Sequence, residues 1–415
     1  MHILFVLDAW GLVGGTERHA AVVIPALQER GHRVSVLCTE DRHPDLGSVG
    51  VIEVPALGRG WLAREERGEL SRRVKEARPD VILVSILHNA DAYRVLLESA
   101  PLVRFVHDHR LYCPGMNKVL ESGDVCRRPM GGECLERYWR HGGCIGFKPA
   151  MHRDRIGEPM RAVLAQQREL ELVQRSTHVL TNSHFMRGEL LQVGFHPDRT
   201  SVLPLFTLSN TAAQPPAPLD PATAAFVAAA DPLLFTPARL TLPDKGVDFL
   251  LTALAHVRAP FRAVVSGEGP HRAWLEAKRH EDRVADRVHF SGWVAAGAIE
   301  TLYARSAVVI CPSVWSEPFG LVGLEAGAHE KPVVAFDVGG IAEWLSDGVN
   351  GFLVPRKDTR AMAAAVDRLL ADPALAARLG ANGRRLAAER FPPERHVERL
   401  EEVLRRAAGG AAPLR

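Results

Sequence analysis

No stretch of this 415-residue chain is apolar for long enough to cross a bilayer. Its apolar runs, such as Ala20 to Leu27 and Val81 to Leu87, fall far short of the roughly 20 residues a spanning helix needs. Neither charge dominates: 51 Lys and Arg face 49 Asp and Glu, a net +2. That leaves no global attraction to nucleic acid, and none is expected as a partner. The N-terminus, MHILFVLDAWGLVGG, lacks a basic leader and a cleavage site, so a cytoplasmic protein is expected. The C-x-x-C pairs of a strong zinc knuckle are missing. So are the G-x-G-x-x-G of a dinucleotide fold and any repeat of solenoid length.

What remains is an ordinary globular composition, 47% hydrophobic and 24% charged, in a chain long enough for two domains. Residues 2–7 form an apolar run. The glycine turn Gly11–Gly15 follows, then a helical segment Glu17–Arg30 closed by Gly31, then a strand Arg33–Cys38. This is a βαβ opening. Strands are expected at Val51–Val54, Val81–Ile86, Leu102–His107 and His178–Thr181, with helical segments between most of them. Residues 204–222 carry five prolines and no periodicity, as a linker would. The alternation then restarts at Leu233–Phe235 and runs through Arg262–Ser266, Val288–Ser291, Val308–Ile310, Val333–Phe336 and Phe352–Val354. The last helices are expected at Thr359–Ala371 and about Pro393–Ala407. The fold class is therefore α/β, with two doubly wound, Rossmann-like parallel-sheet domains facing a cleft. Residues 1–205 would form the first domain, with a cysteine-bearing insert at about 110–148. Residues 206–392 would form the second. The helix at about 393–407 is expected to pack back on the first.

Several groups could carry chemistry. The run SVWSEPFGLVGLEAGAHEKPVVAFDVGG holds Glu317 and Glu325 around a Pro-Phe-Gly turn that opens a helix. Backbone N–H groups and a positive dipole end there suit a phosphate, and the two carboxylates suit hydroxyls on either side of it. Arg239 and Lys245 follow a strand and precede a helix, where paired cations can neutralise a diphosphate. Read alone, they are as well explained as solvated surface cations. The loop with Gly14 and Gly15 allows close backbone approach, or is simply a tight turn. Gly267, in Gly-Glu-Gly-Pro, either caps a helix or lines a nucleotide pocket. His107 ends an apolar strand, where it could exchange protons or hydrogen-bond a substrate. Cys113, Cys126, Cys134 and Cys144 cluster in the insert, and a structural zinc, free thiols or a disulfide all fit that spacing. The segments Trp61–Arg78 and Met151–Arg175 mix charges in the manner of solvated helix faces. Peripheral contact with anionic lipid, at the inner membrane face, is their second reading.

Taken together these residues resemble the GT-B retaining glycosyltransferases of family 4, over nearly the whole chain. EPFGLVGLEA resembles that family's E-x7-E motif, PARL…DKG its Arg/Lys phosphate pair, and GGTE its N-domain glycine loop. The resemblance implies a sugar moved from a UDP- or GDP-linked donor to a glycan, lipid-linked or small-molecule acceptor, in polysaccharide or cell-surface glycan synthesis. It assigns the donor diphosphate to Arg239 and Lys245, with Gly14 and Gly15 from the other domain. Glu325 would hold the ribose, and Glu317 the transferred sugar. Backbone N–H groups of Phe319, Gly320 and Leu321 would meet sugar and phosphate. His107 would lie near the reacting sugar, while Gly267, Trp293 and Val294 would frame the base. No Asp-x-Asp occurs in the chain, in keeping with metal-independent transfer that requires no cofactor. The insert after His107 is the departure from the family pattern and is expected to shape acceptor binding. An epimerase of the same architecture, and a non-catalytic sugar-nucleotide-binding scaffold, are the rival readings.

Overall fold

The computed structural model describes residues 1–10, 15–41, 49–120, 122–141, 144, 157–207 and 217–410. The chain divides into two compact units. The first gathers Met1–Asn117, Arg127–Pro204 and Pro393–Arg415, and the second Lys118–Cys126 and Leu205–Pro392.

The first unit is built on seven parallel strands: β1 (His2–Val6), β2 (Arg33–Cys38), β3 (Gly50–Glu53), β4 (Val81–Val84), β5 (Leu102–Val106), β6 (His178–Thr181) and β7 (Thr200–Val202), in the order β3-β2-β1-β4-β5-β6-β7. Strands β1, β4 and β5 are buried throughout. Helices cover both faces of such a sheet, which is why these segments read as continuous apolar runs rather than alternating ones. Side-chain caps start several helices. Asn89 Oδ1 accepts from the Ala92 N–H at 2.9 Å, and Ser183 Oγ from the Met186 N–H at 3.0 Å. The helix Pro393–Ala408 packs on the Gly15–Glu29 helix and on β4 and β5. Its apolar stripe Val397, Leu400, Val403 and Leu404 is buried.

The second unit holds six parallel strands: β8 (Leu233–Pro237), β9 (Arg262–Ser266), β10 (Val288–Gly292), β11 (Val308–Cys311), β12 (Val333–Phe336) and β13 (Gly351–Val354), in the order β10-β9-β8-β11-β12-β13. The chain winds outward from β8 to β10, then crosses to the other side of β8 at β11. The β8/β11 boundary is thus the switch point of the sheet, where the loops at the carboxyl ends diverge and leave a crevice.

Four features differ from the sequence expectations. The stretch expected to be a linker gives way at its end to a helix, Pro221–Val227, while residues 208–216 fall outside the described residues. Pro221 stands in the first turn, where its missing N–H costs nothing, and the Asp220 carboxylate accepts from the Ala222 and Thr223 N–H groups. A helix at Pro373–Arg390, capped by Asp372, was not anticipated. Inside the insert, where no element was expected, Gly132–Arg140 is helical and Val119 bridges Val125. Finally, Lys118–Cys126 clusters with the second unit, although it lies inside the span expected to be the first domain. Asp124 pairs there with Lys357 at 2.9 Å and Arg356 at 3.4 Å. Among the described residues no helix is long and apolar enough to cross a membrane. The helix expected over Met151–Arg175 is observed at Gly157–Gln174, and residues 151–156 lie outside the described part.

Candidate active site

The switch point of the second sheet brings two loops together. In the loop after β8 the Asp244 carbonyl accepts from the Val314 N–H at 3.0 Å and the Trp315 N–H at 3.3 Å, both in the loop after β11. Gly246 makes this approach feasible. Its φ is +62°, and a Cβ there would lie 2.0 Å from the Pro312 carbonyl oxygen. The two loops so joined carry Lys245 and Glu317.

Lys245 Nζ donates to Glu317 Oε2 at 3.0 Å. Trp315 Nε1–H donates to the same oxygen at 2.7 Å, and the Lys245 ammonium lies 4.9 Å from the Trp315 ring centroid. Glu317 is only 8% exposed. Burial pushes its carboxyl upward, but the Lys245 charge and hydrogen bonds from Lys245, Trp315 and Ser313 outweigh burial and hold it below its ordinary value. The backbone of Glu317 is fixed as well. Its carbonyl accepts from the Gly340 N–H at 2.7 Å. A Cβ on Gly339, whose φ is +54°, would sit 2.2 Å from that carbonyl oxygen.

Beyond Glu317 the Leu321–Ala328 helix opens at Gly320, whose φ is +86°. Trp344, 1% exposed, is buried beneath this turn and donates Nε1–H to the Phe319 carbonyl at 2.6 Å. Burying a side chain of this size contributes on the order of 2–3 kcal/mol. Gly323 accommodates the ring: a Cβ there would lie 2.0 Å from it. One turn further on, Tyr303 O–H donates to Glu325 Oε2 at 2.6 Å. His329 stacks on the Tyr303 ring with centroids 5.4 Å apart. The helix start presents its first N–H groups and positive dipole end beside the Lys245–Glu317 pair, an arrangement that can hold an anion.

Arg239 follows β8 and is exposed, with no hydrogen-bond or ion-pair partner among the described residues. Gly267, after β9, has φ +143°, and a Cβ there would lie 2.1 Å from the Ala238 carbonyl oxygen beside Arg239. Gly292 has φ +72° and is followed by Trp293, 70% exposed, and by Val294, which packs against the core of the unit.

In the first unit, His107 follows β5 and its Nε2 shares a hydrogen bond with Ser85 Oγ at 2.8 Å. Burial lowers the imidazole to about 3, so it is neutral near pH 7 and works as a hydrogen-bonding group. Asp108 caps the short turn after it and pairs with Arg110 at 2.7 Å. Gly15 begins the helix Gly15–Glu29, and Gly14 lies outside the described residues. Cys113 and Cys144 both flank Gly115, Cys134 lies on the Gly132–Arg140 helix, and Cys126 clusters with the second unit. Among the described residues no group of three or more His, Cys, Asp or Glu side chains is placed to hold a metal ion.

Sequence reasoning missed Trp315, Tyr303, Gly339 and Trp344. Trp315 stood two positions from Glu317 inside the quoted run. Tyr303 is on the preceding helix, 22 positions from Glu325, and nothing local marks it.

Two family models match the chain, and between them they span most of it. Residues 13–206 match Glycosyltransferase Family 4, and residues 231–372 match Glycosyl transferases group 1. The chain belongs to the family 4 glycosyltransferases. Among relatives, it is 39% identical to an uncharacterized glycosyltransferase of Methanocaldococcus jannaschii over 136 residues, 32% of this chain and 34% of the relative. It is 41% identical to a D-inositol 3-phosphate glycosyltransferase of Xylanimonas cellulosilytica over 164 residues, 39% of each chain. The chain thus spans well under half the length of these curated relatives. The fold matches Anabaena Alr3699/HepE, solved in complex with UDP, with a TM-score of 0.69 at 23% identity, covering 98% of this chain and 100% of that one. Both units of this family 4 member accordingly have the GT-B type of Rossmann-like parallel sheet.

Proposed function

We propose that this protein is a retaining, metal-independent glycosyltransferase. It moves a sugar from a nucleotide diphosphate sugar to a glycan, lipid-linked or small-molecule acceptor, in polysaccharide or cell-surface glycan synthesis. The observation that carries the reading is the Lys245–Glu317 pair at the switch point of the second sheet, next to a helix N-terminus. Support also comes from relatives named as glycosyltransferases, one of them GDP-mannose-dependent, and from fold neighbours solved with UDP and UDP-glucose.

In this reading Lys245 and Arg239 bind the diphosphate, the first N–H groups of the Leu321–Ala328 helix meet sugar and phosphate, and Glu325 accepts from the ribose hydroxyls. Glu317, ionised and held by Trp315 and Lys245, accepts from hydroxyls of the transferred sugar. The C1–O bond to the diphosphate breaks, and the phosphate oxygen keeps the electron pair. The two cations stabilise the charge that develops there. The acceptor oxygen then bonds to C1 from the face just vacated, and its proton passes to the departing phosphate oxygen. In this reading Glu317 and Glu325 both bind hydroxyls and neither attacks C1, so the front-face route fits better than the two-carboxylate scheme of glycosidases. The neutral His107 hydrogen-bonds a hydroxyl on the acceptor-binding unit. Gly267, Trp293 and Val294 frame the base. The exposed apolar side chains Trp61, Met160 and Leu164 support peripheral contact with a membrane surface that presents the acceptor.

The test is a thermal-shift screen with UDP, GDP, ADP and their sugars, followed by product analysis in EDTA. One nucleotide series should raise the melting temperature selectively, and transfer with retained anomeric configuration should survive chelation. An altered sugar nucleotide formed without acceptor would replace this reading with an epimerase. Nucleotide binding with neither hydrolysis nor transfer would replace it with a scaffold.

A further inference from the structure

The helix Pro393–Ala408 brings a histidine to the carboxyl-end region of the first sheet. His396 is buried and makes two short contacts. Its Nδ1 lies 2.7 Å from the Pro204 carbonyl oxygen, and its Nε2 lies 2.7 Å from Nε2 of His19, on the Gly15–Glu29 helix. A carbonyl oxygen only accepts, so His396 Nδ1 carries a proton. In a neutral imidazole the other nitrogen then offers a lone pair. His19 Nε2 must therefore donate to His396 Nε2. The result is a directed chain: His19 Nε2–H to His396 Nε2, then His396 Nδ1–H to Pro204 O. Both rings are buried, and burial lowers the basicity of each, which keeps them in the neutral forms this chain requires. A proton added to His396 Nε2 would set two N–H groups against each other.

These rings enclose the support of His107. Phe105, two positions before it on β5, has its ring centroid 4.2 Å from His107, 5.7 Å from His19 and 6.2 Å from His396. His19 itself lies 6.1 Å from His107, at 66°. The chain leaves this unit after Pro204 and returns at Pro393. The His396 hydrogen bond to Pro204 therefore ties the departing strand to the returning helix, directly behind the aromatic cluster.

We propose that His396, with His19, is a positioning residue: the directed chain from His19 through His396 to Pro204 holds Phe105 and His107 in their working orientation. The proposal rests on the reading of His107 as a group that contacts substrate in the transfer reaction. Its expected signature is in turnover rather than in donor binding, because Lys245, Glu317 and Glu325 lie in the other unit.

The test uses the full chain with His396→Leu, His396→Gln, His19→Leu and the His19→Leu/His396→Leu double variant. His396→Leu should lower kcat about tenfold through misplacement of His107, with the KM for the donor within about twofold of wild type. His396→Gln keeps a donor and an acceptor on one side chain and should recover most of the loss. The double variant should be no slower than either single one, since each breaks the same chain. Independently of activity, the 15N shifts of histidine-labelled protein should show His396 protonated at Nδ1 and His19 at Nε2, and His107 should shift in His396→Leu. Wild-type turnover in His396→Leu, additive losses, no rescue by glutamine, or the opposite tautomers would each overturn the proposal. The stated tautomers in wild type and the His107 shift in His396→Leu, with no sugar transferred by wild type, would support the hydrogen-bonded chain and refute the proposed function instead.

Discussion

Replacing Lys245 with methionine removes a charge and keeps most of the side-chain volume. Lys245 Nζ and Glu317 Oε2 are 3.0 Å apart, with side chains 16% and 11% exposed. At that separation two unit charges attract by roughly 5–6 kcal/mol for an effective dielectric constant of about 20. Desolvation of both groups offsets part of this in the wild type. In Lys245→Met the attraction is gone but the Glu317 desolvation remains, so a net loss of about 3–5 kcal/mol is expected at neutral pH. The sign of the pH dependence follows from the carboxyl. In the wild type Glu317 titrates below its ordinary value of 4.5. Its stabilisation is therefore complete above that value and is lost as pH falls through the lowered one. In the variant burial acts without the cation and raises the carboxyl, so protonation in mild acid relieves the strain. Urea unfolding of wild type and variant at pH 7.5 and pH 4.5 should show the gap shrinking toward the lower pH. A loss under about 1 kcal/mol, or one equal at both pH values, would refute the claim that this ion pair organises the switch-point loops.

Tyr303→Phe removes the O–H that donates to Glu325 at 2.6 Å. Calorimetric titration should show the preferred nucleotide bound about 5- to 30-fold more weakly, equivalent to roughly 1–2 kcal/mol. Gly339→Ala places a methyl group 2.2 Å from the Glu317 carbonyl oxygen at φ +54°. It should lower the melting temperature and, by shifting Glu317, depress turnover as well, a cost on the order of 2–3 kcal/mol. Buried neutral histidines make the fold sensitive to acid. His107 and His396 titrate at about 3 and about 4 against an ordinary 6.5. Between pH 6.5 and about 4 the unfolded chain takes up protons that the folded one does not, so unfolding free energy should fall by roughly 1.4 kcal/mol per pH unit for each. Denaturation series across that window check it, and replacing His396 with leucine should flatten the slope.

Local sequence was enough to recognise most of the architecture, because a parallel strand covered on both faces must be apolar along its length. Segments such as VILV, VVIC and VVAF announce themselves for that reason. Proline misled where it stood at a helix start instead of in a linker. Pro221 and Pro373 each follow a capping aspartate, Asp220 and Asp372, and that pairing was readable but passed over. The glycines of GLVGLEAGA were visible as small residues, but not as the space left for Trp344, which arrives from beyond β12.

The chain's own letters determined which groups are available: two carboxylates around a glycine turn, two cations after a strand, and a histidine at a strand end. Only the tertiary structure decided which of them meet. Lys245 and Glu317 are 72 positions apart and touch because β8 and β11 are neighbours across the switch of the sheet. His19 and His396, 377 positions apart, touch because the last helix returns to the first unit. Of the four insert cysteines, Cys113 and Cys144 meet at Gly115, a pairing that their spacing of 31 positions does not announce. Periodicity and capping act over a few residues, whereas ion pairs and aromatic contacts depend on which strands become neighbours. That choice is made by burial of the whole core and is written in no single segment.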